Sequence, residues 1–326
     1  MNANISSWLL ALTFIGVVAS ARGNEPVPRT EDPSALSVPG AVLHLAHFRA
    51  ESVTSQALST RASGIASVLA NAEVPYLATD VVSRALAVTP GRADFLMESS
   101  ERIRVLIDPA QSGLLAVHGA VADDFASEVD VGTARAQTLF HDTLKALVSR
   151  HLVEPDGLAL GRVRSGRVMQ AETPRGGQSK PRIKEYFFEV PRVVGDVEVF
   201  GASLTISVHR SGRIASIRTE GPSAVSDKET FKREISAASL TERARHDNPR
   251  AEIVPLGLRY PWKAASDDTR LISRPREAFR VVPVTEVEGR KIHGRSHYVF
   301  YALDNDKEPP IVWPKPNPTA TGDARK

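Results

Sequence analysis

Apolar residues recur along the chain at two different periods, and the changes of period mark its elements. Over residues 53–88 the step is three or four: Leu58, Ala62, Ile65 and Leu69, then Leu77, Val81, Ala85 and Val88. That spacing predicts two short helical stretches separated at Pro75. At Arg102 the pattern changes. Residues 103–107 and 114–117 are branched apolar runs on either side of Asp108-Pro109-Ala110-Gln111-Ser112-Gly113, which predicts a hairpin. Thr133 stands where it would cap a helix running to about Leu152, with Ala136, Leu139, Phe140, Leu147 and His151 on one side.

The second half repeats the alternation of strand and helix. Residues 186–190 read as a strand, and residues 199–202 lead into a strictly alternating run at 204–208. His209-Arg210-Ser211-Gly212 turns that run back into residues 214–217. Ser239-Leu240-Thr241-Glu242 has the form of a capping box, and Asn248-Pro249 stops the helix it opens. A strand at 253–260 follows. Residues 279–287 and 297–303 then form a longer hairpin around Glu288-Gly289, with Pro283 marking an edge or a bulge. The predicted class is α+β: two modules, each pairing an antiparallel sheet with a helix, preceded by a short helical segment. The spans are a leader at 1–21, a flexible lead-in and helical segment at 22–92, modules at 93–222 and 223–305, and a Pro-rich tail at 306–326.

Composition adds constraints on setting and partner. The chain has 326 residues, 42% hydrophobic and 24% charged, which is enough for two cores. A net charge of +3 is too small to make nucleic acid the expected partner. The first 21 residues carry no charged side chain; an apolar run from Trp8 to Val18 is followed by Ala19-Ser20-Ala21. This predicts a secretory signal cleaved between Ala21 and Arg22, and a secreted or periplasmic protein. The run is short of the roughly 20 residues a membrane span needs, so no span is expected. Cysteine is absent, which removes disulfides and thiolate metal sites together.

The order of these elements resembles the propeptide of thermolysin- and fungalysin-type metalloproteases, in which a propeptide module precedes a PepSY module. The residues that carry the resemblance are the Asp108-to-Gly113 turn, the helix after Thr133 and Tyr186-Phe187-Phe188-Glu189-Val190. With them go Gly195-Asp196-Val197-Glu198-Val199-Phe200-Gly201-Ala202 and the hairpin with Ser211-Gly212. The likeness spans about residues 95–304. Glu189 or Val190 stands where the family carries Gln, and Val197-Glu198 replaces its v-P pair. No His is followed by Glu, so the His-Glu-x-x-His helix of the catalytic domain is missing. The resemblance therefore implies a non-enzyme without cofactor whose partner is a secreted metalloprotease, which it inhibits or helps to fold. The alternative is a structural or surface-binding protein of the envelope or matrix that keeps the modules as scaffold.

Candidate chemistry is sparse. His44 with His47 and His293 with His297 are the close histidine pairs. On a strand the latter two stand about 13 Å apart, too far to share an ion unless Gly294 folds the chain back. Residues 162–184 hold seven basic side chains (Arg162, Arg164, Arg167, Arg175, Lys180, Arg182, Lys184) and one acid, Glu172. They read as a solvated loop, or as a site for an acidic partner. Carboxylates near the first hairpin (Asp94, Glu98, Glu101, Asp108, Asp123, Asp124) have the look of solvated surface. Tyr298, Phe300 and Tyr301 point to both faces of one strand. Val312-Trp313-Pro314 in the Pro-rich tail is the candidate partner-binding segment: Trp313 either folds back onto the last sheet or anchors a partner.

Overall fold

A computed structural model describes residues 35–48, 55–70, 93–96, 102–108, 113–122, 124, 128–170, 181–221, 224–262 and 272–314. The cleavage point at Ala21 and Arg22, the helical stretch beyond Pro75, Glu98, Glu101, Asp123, Arg175, Lys180 and the tail beyond Pro314 lie outside them. In chain order the elements are β1 (Val42–Phe48), α1 (Ser55–Leu69), β2 (Ala93–Leu96), β3 (Ile103–Asp108) and β4 (Gly113–His118). There follow α2 (Gly119–Ala122), α3 (Gly132–Ser149), β5 (Arg164–Gln170), β6 (Arg182–Val194), β7 (Val197–His209) and β8 (Ile214–Glu220). The last are β9 (Ala224–Lys232), α4 (Ala237–Asp247), β10 (Ala251–Tyr260), β11 (Ile272–Ser273), β12 (Arg276–Val287), β13 (Arg290–His293), β14 (His297–Tyr301) and β15 (Ile311–Trp313). The class is α+β.

The first half is an antiparallel sheet with helices on one face. Its strands run β5, β6, β7, β8, β4, β3, β2. The alternation read in the sequence puts Leu204, Ile206 and Val208 of β7 and Ile103, Val105 and Ile107 of β3 into one core with α1 and α3. α3 buries Ala136, Phe140, Thr143, Leu144 and Leu147, a stripe at three- and four-residue steps. Phe140 stacks on Phe188 of β6 with ring centroids 4.8 Å apart. Burying a ring of that size contributes about 2–3 kcal/mol. The expected cap at Thr133 is corrected: α3 begins at Gly132 with no side-chain cap, and the Thr133 hydroxyl accepts from the Arg167 guanidinium at 3.0 Å. The basic segment is not all loop, because residues 164–170 are the edge strand β5. Its ladder leaves Gly166 under the Phe187 ring, and a Cβ there would lie 2.3 Å from that ring.

β7 serves both halves. Along residues 203–208 it pairs with β8, whereas Glu198 and Val199 pair in parallel with Arg259 and Tyr260 of β10. The handover falls at Gly201, whose φ of +78° a side-chain-bearing residue rarely adopts. There the core-facing positions shift from Val197 and Val199 to Ala202 and Leu204. The bulge therefore keeps one face of the strand toward the core through the junction.

Beyond β10 the sheet continues through β12 and β14 to β15, while β13 pairs with β12 alone. Gly294 donates to the Pro283 carbonyl at 2.7 Å, so the long hairpin is interrupted opposite Pro283, as the proline suggested. α4 packs on one face of this half. Ser236, not Ser239, caps it by accepting from the Ser239 amide at 3.1 Å, and Glu242 instead pairs with Arg245 at 2.6 Å. The same face carries a second sheet of β11, β1 and β9. β1 lies inside the span expected to be lead-in and helix, and it contributes Leu43, Ala46 and Phe48 to the cores.

A buried ion pair fastens the second sheet to the first. Arg233, just after β9, is 1% exposed. It donates to Glu277 of β12 at 2.8 Å, to the Leu36 carbonyl at 3.0 Å and to the Ile235 carbonyl at 2.7 Å. Removing one partner strands the other charge in a dry site, which costs about 3–5 kcal/mol, whereas replacing both with apolar side chains costs far less. Glu277→Ala is accordingly expected to lose at least 3 kcal/mol, on that same estimate, in urea denaturation. Arg233→Met combined with Glu277→Leu should recover most of the loss. A single substitution costing under about 1 kcal/mol would show the pair to be dispensable.

Candidate docking face

The side of the long sheet that faces away from α4 carries an aromatic cluster. Alternation on β14 sends Tyr301 toward the helix, where its hydroxyl donates to Asp247 at 2.9 Å, and sends Tyr298 and Phe300 the other way. Both the donated bond and burial push the Tyr301 phenol well above its usual pKa, burial most. Pairing of β14 with β15 sets Trp313 beside Tyr298, Val312 beside Val299 and Ile311 beside Phe300. Phe200 reaches over from β7 to complete the group. Its ring centroid lies 4.9 Å from Phe300, 4.9 Å from Tyr298 and 5.5 Å from Trp313. The Phe300 and Trp313 contacts are edge-on, the arrangement in which one ring's positive rim meets another's negative face.

Phe300 is fully buried in this cluster, whereas Phe200, Leu256, Tyr298, Ile311 and Trp313 are half-buried. No member comes from a helix. Trp313 is thus part of a strand paired with β14 rather than of a mobile tail, and its ring lies on the aromatic face of the sheet. The same alternation divides the expected Val312-Trp313-Pro314 segment. Val312 packs on the α4 side of the sheet, Trp313 joins the aromatic face, and Pro314 is exposed.

Charges border the rings. Arg280 lies directly across from Tyr298, is exposed, and has no side-chain partner among the described residues. Arg259 and Arg164 both pair with Glu198, two residues before Phe200, at 3.4 Å and 2.5 Å. Burial lowers the Arg259 pKa, and Glu198 opposes that shift. A depression lined by Phe231, Arg274, Pro275 and Arg276 holds two cations that are each ion-paired. Arg274 meets Asp304 at 2.7 Å, and Arg276 meets Glu308.

The histidine candidates do not assemble. His44 and His47 lie on β1; His293 sits opposite Val284, and His297 opposite Val281 on the next strand along. Among the described residues no group of three or more His, Asp or Glu is placed to hold a metal ion. No described helix is long and apolar enough to cross a membrane. Phe200 is the member of the site that sequence reasoning missed. Its signal was alternation: with Val197 and Val199 facing the core, Phe200 faces the other side just before the bulge at Gly201.

No family model matches the chain, and no curated protein matches it either.

Cutting the chain after Asp306 removes β15, and with it Ile311, Val312 and Trp313 from two clusters. At about 25 cal/mol per Å² of apolar surface, the half-buried positions predict a loss of at least about 2 kcal/mol. The check is urea denaturation of full-length and truncated protein. A truncation that leaves stability unchanged would show that β15 does not pack as described.

Proposed function

We propose that the protein is a non-catalytic binding protein, exported from the cell, that acts as an inhibitor or folding chaperone of a secreted metalloprotease. The aromatic face is the observation that carries this reading. It offers half-buried Trp, Tyr and Phe rings with accessible edges, held on strands, which bind at small cost in conformational entropy. The order of elements, a propeptide-like module followed by a PepSY-like one, supports the choice of partner. A propeptide tethered to its enzyme gains from high effective concentration, whereas a chain acting in trans needs a better interface. The Phe200, Tyr298 and Trp313 group supplies the apolar centre of such an interface, and Arg280 a charged rim.

The test titrates the purified protein against a thermolysin-like protease from its own source and against an unrelated serine protease. The metalloprotease should bind more tightly. Trp313→Leu, which keeps an apolar side chain on β15, should weaken that binding about tenfold or more, with the circular dichroism spectrum unchanged. Equal affinity for both proteases, or binding untouched by Trp313→Leu, would contradict the proposal. No binding to any co-secreted metalloprotease would leave the modules as scaffold.

A further inference from the structure

Two histidines with no solvent exposure flank the turn at the far end of β7, about 30 Å along the strand from Phe200. His209 ends β7, and His118 ends β4. Between them lies the turn that leads into β8. The His209 amide donates to the Arg213 carbonyl at 2.8 Å, and the Gly212 amide donates back to the His209 carbonyl at 2.9 Å. The His209 ring holds the same turn from inside. Its Nδ1 accepts from the Ser211 amide at 3.2 Å and lies 2.8 Å from the Ser211 hydroxyl. The His118 Nε2 lies 2.9 Å from the Arg213 guanidinium, which only donates; the closer contact makes Nε2 the acceptor, and the Val121 amide approaches Nδ1 only to 3.4 Å.

The turn in its outward direction is a clamp on the entry to α3. The Val131 amide donates to the Arg210 carbonyl at 2.9 Å. The Arg210 side chain donates to the Val129 carbonyl at 2.9 Å and the Glu128 carbonyl at 3.1 Å. Gly212, at φ +87°, leaves room for the Val131 side chain, which a Cβ there would meet at 2.9 Å. The turn therefore connects two buried imidazoles to residues 128–131.

We propose that this turn is a pH-sensitive latch: protonating His118 and His209 releases it and frees the segment that leads into α3. The step is a proton transfer from solvent to two ring nitrogens. A proton on His209 Nδ1 takes the acceptor away from the Ser211 amide and leaves the ring only the Ser211 hydroxyl to donate to. A proton on His118 Nε2 removes the acceptor from Arg213 and sets two cations 2.9 Å apart. Neither ring is open to water in the closed state, so protonation and opening occur together.

The charged groups that face His209 come from two other places in the chain. Asp124 after α2 and Glu185 of β6 favour its charged form, and Lys184 of β6 opposes it. Burial outweighs them and holds the imidazole below its ordinary pKa of 6.5. The sign follows directly. Below 6.5 the open form binds more protons than the closed form, so the latch is stable above that pH and loses stability as pH falls through the folded value. Asp130 sits in the clamped segment, accepting from the Tyr186 hydroxyl at 2.6 Å, and that bond holds its carboxyl below the ordinary 3.8. The carboxylate thus titrates in a separate, lower window.

Hydrogen exchange of the full-length protein, compared between about pH 7.5 and about pH 5 and corrected for intrinsic rates, tests the latch. Amides of residues 128–136 and 207–215 should exchange at least about tenfold faster at the lower pH, while those of α4 keep their protection. The double variant His118→Gln with His209→Gln retains side chains able to accept from Arg213 and Ser211, but neither takes up a proton. It should hold the turn closed at both pH values. Uniform protection in the wild type, or pH-dependent opening that survives in the double variant, would overturn the proposal. Should that variant fail to fold, proton NMR of the wild-type imidazoles decides the matter. The two rings must titrate in step with the loss of protection, and titration at an unrelated pH overturns the latch.

Discussion

One cation without access to water determines how the second half of the molecule is put together. Arg233 uses its Nε and both terminal nitrogens on Ile235, Leu36 and Glu277, which belong to the start of α4, the approach to β1 and the strand β12. A guanidinium buried at this depth is tolerated only because each bond is present, since an unmatched charge in such a site costs several kcal/mol. The requirement fixes the small sheet and α4 on one face of the long sheet. It also sets the direction of β12, because Glu277 points to the small sheet and Ala278, next in line, must point to the other face. The aromatic cluster is built on that other face, around Ala278 and Phe300.

The second constraint is a single strand. β7 packs against α3 at its end and against β1 near its start, and both contacts use the same face. Gly201 makes this possible by absorbing the extra residue of the bulge. Gly221 completes the junction. It has a positive φ of +78°, and a Cβ there would fall 2.4 Å from the Ala202 side chain, so the chain leaves β8 where only glycine fits. The two halves consequently share one sheet, and Phe200 of the first half lies over Tyr298 and Phe300 of the second. The aromatic face belongs to neither half alone.

Much of this architecture was legible in the residues because local pattern carried it. The hairpin of β3 and β4, the alternating run in β7, the Ser211-Gly212 turn and the stripe on α3 all depend on neighbours within a few positions. The failures had nonlocal causes. β5 carries little apolar signal because it is an edge strand, and its Gly166 is explained only by Phe187 on the next strand. β1 does not alternate cleanly: its ladder with β9 shifts between His44 and Ala46. Ser236 outcompetes the Ser239 pattern because the chain enters α4 in an extended conformation at Ser236, which aims its hydroxyl at the Ser239 amide. Trp313 needed Phe200, a partner far away in sequence, before its position had meaning. The Arg233–Glu277 pair left no periodic trace at all.

In the proposed complex the partner docks on the face of the sheet that Phe200, Tyr298 and Trp313 share. Hydroxyl-radical footprinting of the protein, alone and with a bound thermolysin-like protease, reads that face residue by residue. Oxidation of Trp313, Tyr298 and Phe200 should fall in the complex, while Val287 and Ile292 on the exposed β12–β13 hairpin stay as reactive as before. Protection confined to that hairpin or to β5, with the aromatic face unchanged, would contradict it.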